Sequence, residues 1–347
     1  MCLMRGVLVL VLTLAGLAVP APAMAEPGST SEVDVSFTVR NTNRSGVPCL
    51  SDGRTYTVRG TLVGPADELA APSTARINVL VHDITTGGWF WRMPGHPDVD
   101  YAERLADEGE VSLVIDRLGY GESPVRSGTS TCLGSQADVL HQVIDQVRAG
   151  SSAVPAPDDV VVHAHSVGAA IAQAEAARWK DVDGLVLMSW SDAGVSLRAI
   201  TESAAQHTAC LLGGGRDGAP RGFAWYGRTE ADFRSIHFAT ATEDVQRDAA
   251  SLRNPDPCGD AVSLAQLVAL GNVLTRTIDV PVLLLYGGRD VLNRSDAPRL
   301  QRIAYSPNAS VTLHTDQSAG GALPLEAGAP ELRSHVRDWL CKTSGCG

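Results

Sequence analysis

The sequence is short of positive charge. Its 28 Lys and Arg residues face 39 Asp and Glu residues, which gives a formal net charge of −11 at pH 7. An acidic surface without clustered basic residues does not attract nucleic acid or anionic membranes electrostatically. The composition therefore disfavours both as partners.

Internal repeats and low-complexity tracts are also absent, and a membrane-spanning segment is not predicted. The apolar run at residues 7–19 is too short for a membrane anchor and ends in prolines. It follows Arg5 and precedes the small residues 23–25, which is the order of a secretory signal peptide. We predict a signal peptide over residues 1–25, cleavage before Glu26, and a secreted protein with no membrane span.

One serine stands in a distinctive local pattern. The β-branched and small residues 160–165 precede Ser166, and an alanine-rich helical pattern follows it. Gly168 lies two residues after the serine, and Ala164 lies two before it. Strand, sharp turn and helix with small residues at these positions are typical of a nucleophile elbow, which exposes a serine hydroxyl above a sheet. The alternative is an ordinary N-cap serine.

Further segments, in the same order along the chain, make the sequence similar to the α/β-hydrolase superfamily. Residues 77–83 resemble its third strand and oxyanion loop, with Asp83 in place of a glycine. Residues 111–123 resemble the fourth strand and its Asp-x-x-Gly-x-Gly-x-Ser turn. Residues 280–290 resemble the late strand that carries an acid, and residues 331–340 resemble the C-terminal helix. The resemblance implies an α/β fold with a doubly wound, mostly parallel sheet.

The hydrophobic pattern predicts the same architecture. Residues 33–39 and 56–63 alternate as antiparallel strands do. Short apolar runs predict buried parallel strands, with helical patterns between them; the runs begin near Ile77, Val111, Val160, Gly184, Pro281 and Ser310. The alternation stops over residues 192–260, where the resembling family inserts a lid. We therefore predict a core of residues 26–191 and 261–347 with this lid or cap inserted.

Six cysteines remain after the predicted cleavage: Cys49, Cys132, Cys210, Cys258, Cys341 and Cys346. No Cys-x-x-Cys or His-rich spacing indicates a metal site, and we predict no cofactor. An even number in an exported chain predicts disulfides, although six cysteines allow 15 connectivities. Position along the predicted fold favours Cys210 with Cys258 and Cys341 with Cys346, which leaves Cys49 with Cys132.

The resemblance also implies a role for several residues. Ser166 corresponds to the nucleophile, and the backbone N–H groups of Val167 and Ile84 correspond to the oxyanion hole. Asp290 corresponds to the acid that orients the catalytic base, because the Gly-Gly-Arg-Asp turn matches the usual late-strand turn. Asp192, after the preceding strand, is the alternative acid.

The catalytic histidine is missing from its usual place. In the resembling family it follows the last strand in a small-residue turn, and the best alignment of residues 318–326 places Gly321 there. No histidine lies between His314 and His335. The histidines that could substitute as a base are His237 in the predicted lid, His314, His207 and His96.

Two classes of function therefore remain open. The first is a secreted serine hydrolase that cleaves an ester or related acyl bond of a small or lipid-like substrate through Ser166. The second is a lyase or cyclase that acts on a specialised metabolite, or a binding protein without activity, because fold alone does not fix function. Loss of the catalytic histidine lowers the kcat of a serine protease about 10⁶-fold. The hydrolase class therefore requires another residue to act as the base, and the second class does not.

Overall fold

The structure is a computed structural model that describes residues 29–345, so the predicted signal peptide lies outside the described residues. The strands are β1 (Thr30–Arg40), β2 (Thr55–Pro65), β3 (Ser73–Val81), β4 (Val111–Ile115), β5 (Ala156–His165), β6 (Gly184–Met188), β7 (Phe223–Ala224), β8 (Asp256–Pro257), β9 (Val282–Gly287) and β10 (Val311–Asp316). The α-helices are α1 (Ala66–Ala70), α2 (Tyr101–Ala106), α3 (Leu133–Ala149), α4 (Val167–Trp179), α5 (Leu197–Leu211), α6 (Glu230–His237), α7 (Glu243–Leu252), α8 (Cys258–Leu274), α9 (Ala297–Ala304) and α10 (Ala329–Ser344).

Eight of these strands form one sheet in the order β1-β2-β4-β3-β5-β6-β9-β10. β1 and β2 form an antiparallel hairpin that pairs along its whole length, and β2 joins β4 antiparallel. All other neighbours in this sheet are parallel. The predicted fold class is therefore confirmed, as are the antiparallel hairpin and the six parallel strands.

The central strands are apolar on both faces because helices cover both. Side chains of β3 alternate between two hydrophobic clusters: Ile77 and Val79 belong to one, and Leu80 to the other. The first cluster includes α3 and α4, and the second includes α2, α7 and α10. This three-layer packing explains why strands predicted from continuous apolar runs lie in the middle of the sheet.

Parallel pairing brings the carboxyl ends of the strands together at one edge of the sheet. Val81 at the end of β3 pairs with Ala164 near the end of β5, and Met188 at the end of β6 pairs with Leu285. The loops that follow these strands therefore meet at this edge. In open α/β sheets this is where ligands bind.

The segment between β6 and β9 is mostly helical and covers that edge. It contains α5, α6, α7 and α8, with the short pair β7 and β8. α8 begins inside the predicted lid but runs on to Leu274, and it packs against both α4 and α5. The boundary at residue 260 remains a prediction.

One helical stretch among the described residues, Cys258–Thr277, is long and apolar enough to cross a membrane by length and composition alone. It comprises α8 and the following turn. Because α8 packs on α4 and α5, part of its apolar surface is used inside the protein.

Two of the three predicted disulfides are present. Cys49 is bonded to Cys132, and Cys210 at the end of α5 is bonded to Cys258 at the start of α8. Cys346 lies outside the described residues, so the pairing of Cys341 with Cys346 stays a prediction.

We expect the Cys210–Cys258 bond to stabilise the fold strongly. The two cysteines are 48 residues apart. Closing a loop of this size restricts the unfolded chain by about 4 kcal/mol in the chain-entropy description. Replacing both cysteines with serine should lower the free energy of unfolding by an amount of that order, measured by urea unfolding. Thr201→Ser, on the exposed face of α5, is the control and should change nothing. An unchanged free energy in the double variant would contradict the bond.

Candidate active site

Ser166 lies on a strained corner between β5 and α4. Its backbone has φ 49° and ψ −119°, a conformation rare for a residue with a side chain. The Ser166 N–H donates to the Met188 carbonyl at 2.8 Å, and its own carbonyl accepts from Ala169 N–H at 2.8 Å. Hydrogen bonds on both sides hold the corner, as the predicted elbow requires.

The corner depends on a glycine in the first turn of α4. A Cβ atom at Gly168 would lie 2.5 Å from the His82 carbonyl oxygen and 2.7 Å from the Val81 carbonyl oxygen. Both are backbone atoms and cannot move aside easily. The spacing in the sequence thus reflects a close approach of α4 to the loop after β3.

That loop is held by the ring of His82. Its Nδ1 lies 2.7 Å from the Asp83 carbonyl oxygen, and its Nε2 accepts from Arg117 N–H at 3.0 Å. These contacts define the tautomer, with the proton on Nδ1. The Arg117 guanidinium also donates to the Asp83 carbonyl at 3.1 Å. Both side chains therefore orient the loop that carries Asp83.

The carboxyl group of Asp83 lies at the predicted oxyanion hole. Val167 N–H donates to Asp83 Oδ1 at 2.9 Å. The Ile84 N–H and the Ser166 hydroxyl lie close enough to this carboxyl group to stabilise its charged form. In a serine hydrolase, these backbone donors would stabilise the oxyanion of the substrate. Here a side chain of the protein occupies their binding position.

Burial makes this carboxyl group titrate near neutral pH. Asp83 is 1% exposed, and burial raises its pKa from 3.8 to about 7. The hydrogen bond from Val167 N–H and the nearby Ile84 N–H and Ser166 hydroxyl work in the opposite direction, because they stabilise the carboxylate form. A second buried carboxyl, Asp256, accepts from Thr85 N–H at 2.6 Å, and burial raises its pKa to about 7 as well.

Gly321 lies beside Asp290. A Cβ atom at Gly321 would lie 3.4 Å from both Cγ and Oδ1 of Asp290, which is ordinary van der Waals contact. A side chain at position 321 would therefore begin next to this carboxyl group. Asp290 instead accepts from Leu292 N–H and the Asn293 side chain, both at 2.8 Å. Burial raises its pKa.

Two polar residues that the sequence analysis did not identify hydrogen-bond to Gly321 and Asp290. The Ser189 hydroxyl donates to the Gly321 carbonyl at 2.8 Å. The Asn293 amide bridges the Ser189 carbonyl at 3.0 Å and the Asp290 carboxyl group. The sequence could have indicated both residues, because they follow the parallel strands β6 and β9. Residues that follow parallel strands gather at one edge of the sheet.

The structure buries the two histidines closest to this region. His165 Nε2 lies 2.8 Å from the Gly321 carbonyl oxygen, and its ring stacks on Phe90. His237, a predicted substitute base, lies with Nε2 3.4 Å from Thr85 Oγ1. Burial lowers the pKa of His165 to about 4 and that of His237 to about 3. Neither lines the cavity described below.

Two more of the predicted alternatives, His314 and Asp192, lie elsewhere. The His314 ring packs against the His335 ring at 3.7 Å, and His314 lines a separate small pocket beside α10. Asp192, the alternative acid, accepts from the Trp190 indole at 2.9 Å and the Gln301 amide at 2.8 Å. These buried contacts give Asp192 a structural part in the packing of α4 and α9, and the arrangement does not support His314 or Asp192 as partners of Ser166.

A cavity of about 670 Å³ opens above Ser166 between α5 and α8. Most of its wall is apolar, with side chains such as Ile200, Leu264, Val268 and Leu292. The polar groups on the wall are Asp83, Ser166, Ser189, Ser191, Ser203, His207, Thr208, Tyr226 and Asn293, together with the indole of Trp190. Its size and lining suit a small, largely apolar molecule held by few polar contacts.

His207 is the histidine on this wall among the described residues. It lies on α5, is half-buried, and faces the same cavity as Ser166 and Asp83. The site therefore combines a strained serine, a buried carboxyl group that titrates near neutrality and a histidine on the lid. It lacks a histidine between Ser166 and Asp290.

One feature of the sequence indicates that Asp83 differs from the residue usual at this position. The loop after β3 reads His-Asp where the resembling family has His-Gly. A glycine leaves the oxyanion hole open, whereas a carboxyl group at that position lies within reach of the same backbone donors. The sequence indicated the substitution, but only the folded loop shows where the side chain lies.

The chain matches known proteins in sequence pattern and in structure. A family model described as "Alpha/beta hydrolase family" matches residues 79–328. No curated protein sequence matches the chain. Among solved structures, a thermophilic esterase from Thermogutta terrifontis is 17% identical, with TM-score 0.63, and the match covers 88% of this chain and 99% of that one.

Two further structures are similar to the same extent. A hydrolase from Pseudomonas aeruginosa PA01 is 18% identical, with TM-score 0.60 and 87% and 100% of the two chains covered. An esterase from Exiguobacterium antarcticum is 16% identical, with TM-score 0.59 and 86% and 98% covered. At such identities the structures share the fold. Together with the family match across most of the sequence, this fold and its elbow show that the chain belongs to the alpha/beta hydrolase family.

Proposed function

We propose that this protein is an enzyme of the alpha/beta hydrolase family that transfers a proton through Asp83 to or from a small, largely apolar molecule, as a lyase or cyclase. The observation that carries the proposal is the hydrogen bond from Val167 N–H to Asp83 Oδ1 at 2.9 Å. In a serine hydrolase this N–H group would donate to the oxyanion of the substrate. Here it donates to a carboxyl group of the protein itself.

This contact opposes acyl transfer. A tetrahedral intermediate places negative charge in the oxyanion hole, and loss of one donor there costs about 10²–10³ in kcat. Here Asp83 accepts the hydrogen bond of Val167 N–H, and its carboxyl group lies close to the Ile84 N–H. Its carboxylate form would also repel the developing charge. Since Gly321 supplies no base, the two main contributions to ester cleavage are missing together.

The same contact suits general acid–base catalysis. Asp83 lines the cavity, and its pKa of about 7 lies near the pH at which a secreted enzyme works. A catalytic group is most efficient when its pKa lies near the working pH. The Ser166 hydroxyl lies close to the same carboxyl group, on the wall of the same cavity.

Secretion is part of the proposal. The two disulfides are compatible with an extracellular location, where such bonds persist. The signal peptide predicted over residues 1–25 would direct the chain there.

Ester hydrolysis through Ser166 is the second candidate. It is favoured by the strained backbone of Ser166, by the retained Asp290 and by the position of His207 on the cavity wall. In that reaction His207 would have to supply the base, and Asp83 would have to leave the oxyanion hole. A binding protein without turnover is the outcome if neither reaction occurs.

The first experiment restores an open oxyanion hole and a catalytic base, first separately and then together. We expect the unchanged protein to react slowly with a fluorophosphonate and to cleave a short-chain aryl ester poorly. Asp83→Gly alone opens the hole, and Gly321→His alone supplies a base. The double variant should raise kcat/KM for the aryl ester by orders of magnitude beyond either single change, because a base is worth about 10²–10⁴ and each donor a further 10²–10³.

Adding Ser166→Ala to the double variant is the control and should remove the gain. Circular dichroism checks that every variant is folded. Rapid labelling of Ser166 in the unchanged protein, lost in His207→Gln, would contradict the proposal and support ester hydrolysis with His207 as the base.

The second experiment tests Asp83 as a base. The probe is 5-nitro-1,2-benzisoxazole, a small apolar compound that opens when a base removes its C–H proton. The active form of Asp83 is the carboxylate, which predominates above its pKa of about 7. We expect the rate to increase as pH rises through about 7 and to fall at least 10²-fold in Asp83→Asn, measured by the absorbance of the phenolate product.

The matched control is Asp296→Asn, which changes an exposed carboxylate paired with Arg294. It should leave both rate and pH profile as they are. Equal rates in the unchanged protein and in Asp83→Asn would show that the carboxyl group does not act on molecules in the cavity.

A further inference from the structure

A second group of ionisable side chains lies away from the cavity, where α3 passes the C-terminal end of α4. We call it the His141 cluster; its members are His141, Asp145, Glu175 and Asp181. His141 and Asp145 are one turn apart on α3, and Glu175 lies on α4. Asp181 follows Lys180, whose left-handed backbone ends α4. The cluster therefore joins two helices and a turn.

His141 faces carboxylates on both sides of its ring. Its Nδ1 lies 2.6 Å from Asp181 Oδ2 and 4.0 Å from Glu175 Oε1. Its Nε2 lies 3.3 Å from Asp145 Oδ2. The ring also stacks on Trp179, with centroids 4.5 Å apart and planes 11° apart. Packing thus fixes the direction in which both nitrogens point.

Glu175 is the unusual member. Its side chain is fully buried, and no donor among the described residues hydrogen-bonds to either of its carboxylate oxygens. Oδ1 of Asp181 is also buried without a partner. Arg148, the nearby guanidinium, is engaged by the Asp181 carbonyl and the Asp183 carboxylate. A buried carboxylate without a donor or a cation is costly, so the cluster requires a positive species between its oxygens.

That species is either a proton or a metal ion. A proton would be shared between Glu175 and Asp181, and burial together with Asp181 raises the pKa of Glu175. A metal ion would use the lone pairs of several oxygens and of the imidazole at once. The Glu175 carboxylate favours the metal ion, because both of its oxygens are buried without a partner and a single shared proton would satisfy only one of them. The metal ion would replace the hydrogen bond that now joins His141 Nδ1 to Asp181 Oδ2.

The donor atoms select the kind of metal. Ca²⁺ and Mg²⁺ take oxygen ligands, whereas one imidazole with carboxylates suits Zn²⁺. We propose that His141 Nδ1 and the carboxylates of Asp181 and Glu175 bind a structural zinc ion. Asp145 Oδ2 lies 3.3 Å from Nε2 of the same ring, a position from which carboxylates commonly orient a zinc-bound histidine. A water molecule or a second carboxylate oxygen completes four ligands.

The position of the cluster indicates a structural rather than a catalytic ion. It links α3 to the C-terminal end of α4, and the opposite end of α4 begins directly after Ser166. A cation is also favoured there by the helix dipole, which is negative at the C-terminus. No motif in the sequence predicts the site, because its ligands come from three separate segments.

The test is zinc binding to the full chain after treatment with EDTA and dialysis. Isothermal titration calorimetry with ZnCl₂ should show one ion per chain. Thermal unfolding should shift upwards by several degrees with ZnCl₂ and much less with CaCl₂, because only the folded chain assembles the site. His141→Gln and Glu175→Gln should each weaken zinc affinity at least ten-fold, and Asp145→Asn about ten-fold.

His96→Gln is the matched control. His96 also lies between two aspartates, 2.9 Å from Asp248 and 4.0 Å from Asp244, but both aspartates are exposed and no buried carboxylate faces it. This variant should bind zinc as the unchanged chain does. Circular dichroism of the EDTA-treated variants shows that lost binding is not lost folding.

Two results would overturn the zinc site. One is zinc binding that survives both His141→Gln and Glu175→Gln, which would place the ion elsewhere on the surface. The other is no zinc binding at all, together with a Glu175→Gln variant that is more stable than the unchanged chain. That outcome would identify the species as a shared proton.

Discussion

The hydrogen bond between Val167 N–H and the Asp83 carboxyl group is the contact on which the proposed chemistry of this protein depends. It joins the loop after β3 to the first turn of α4, at the point where Gly168 lets the two backbones approach. Because the backbone donors are fixed by the elbow, whatever accepts from them decides what the site can stabilise. In this chain the acceptor is a side chain of the protein.

The two departures from a serine hydrolase reinforce each other. In the proposed arrangement Asp83 lies where a substrate oxyanion would bind, and position 321 supplies no base. A variant with one feature restored would therefore still lack the other contribution to ester cleavage. Ser189 donates a hydrogen bond to the Gly321 carbonyl, and Asn293 donates one to the Asp290 carboxyl group. The buried Asp290 therefore has a hydrogen-bond donor even without a catalytic histidine.

Buried carboxyl groups recur in this fold with different consequences. Asp192 is satisfied by indole and amide donors, and it serves packing. Asp83 accepts a backbone hydrogen bond and lines the cavity, which is why we propose that it exchanges a proton with a bound molecule. Glu175 has no donor and faces an imidazole, which is why we propose a cation beside it. The environment, and not the residue type, separates these cases.

The sequence by itself determined the sheet, the antiparallel hairpin, the elbow pattern around Ser166 and two disulfide pairs. Each of these depends on local periodicity, on turn residues or on chain order, which are readable along the chain. The sequence also marked Asp83 and Gly321 as departures from the family pattern. Only the tertiary structure brought the Asp83 carboxyl group to the Val167 N–H, buried His237 away from the cavity, and brought Glu175 to His141. These outcomes depend on contacts between segments distant in sequence, where burial and the available donors decide the position and charge of a side chain.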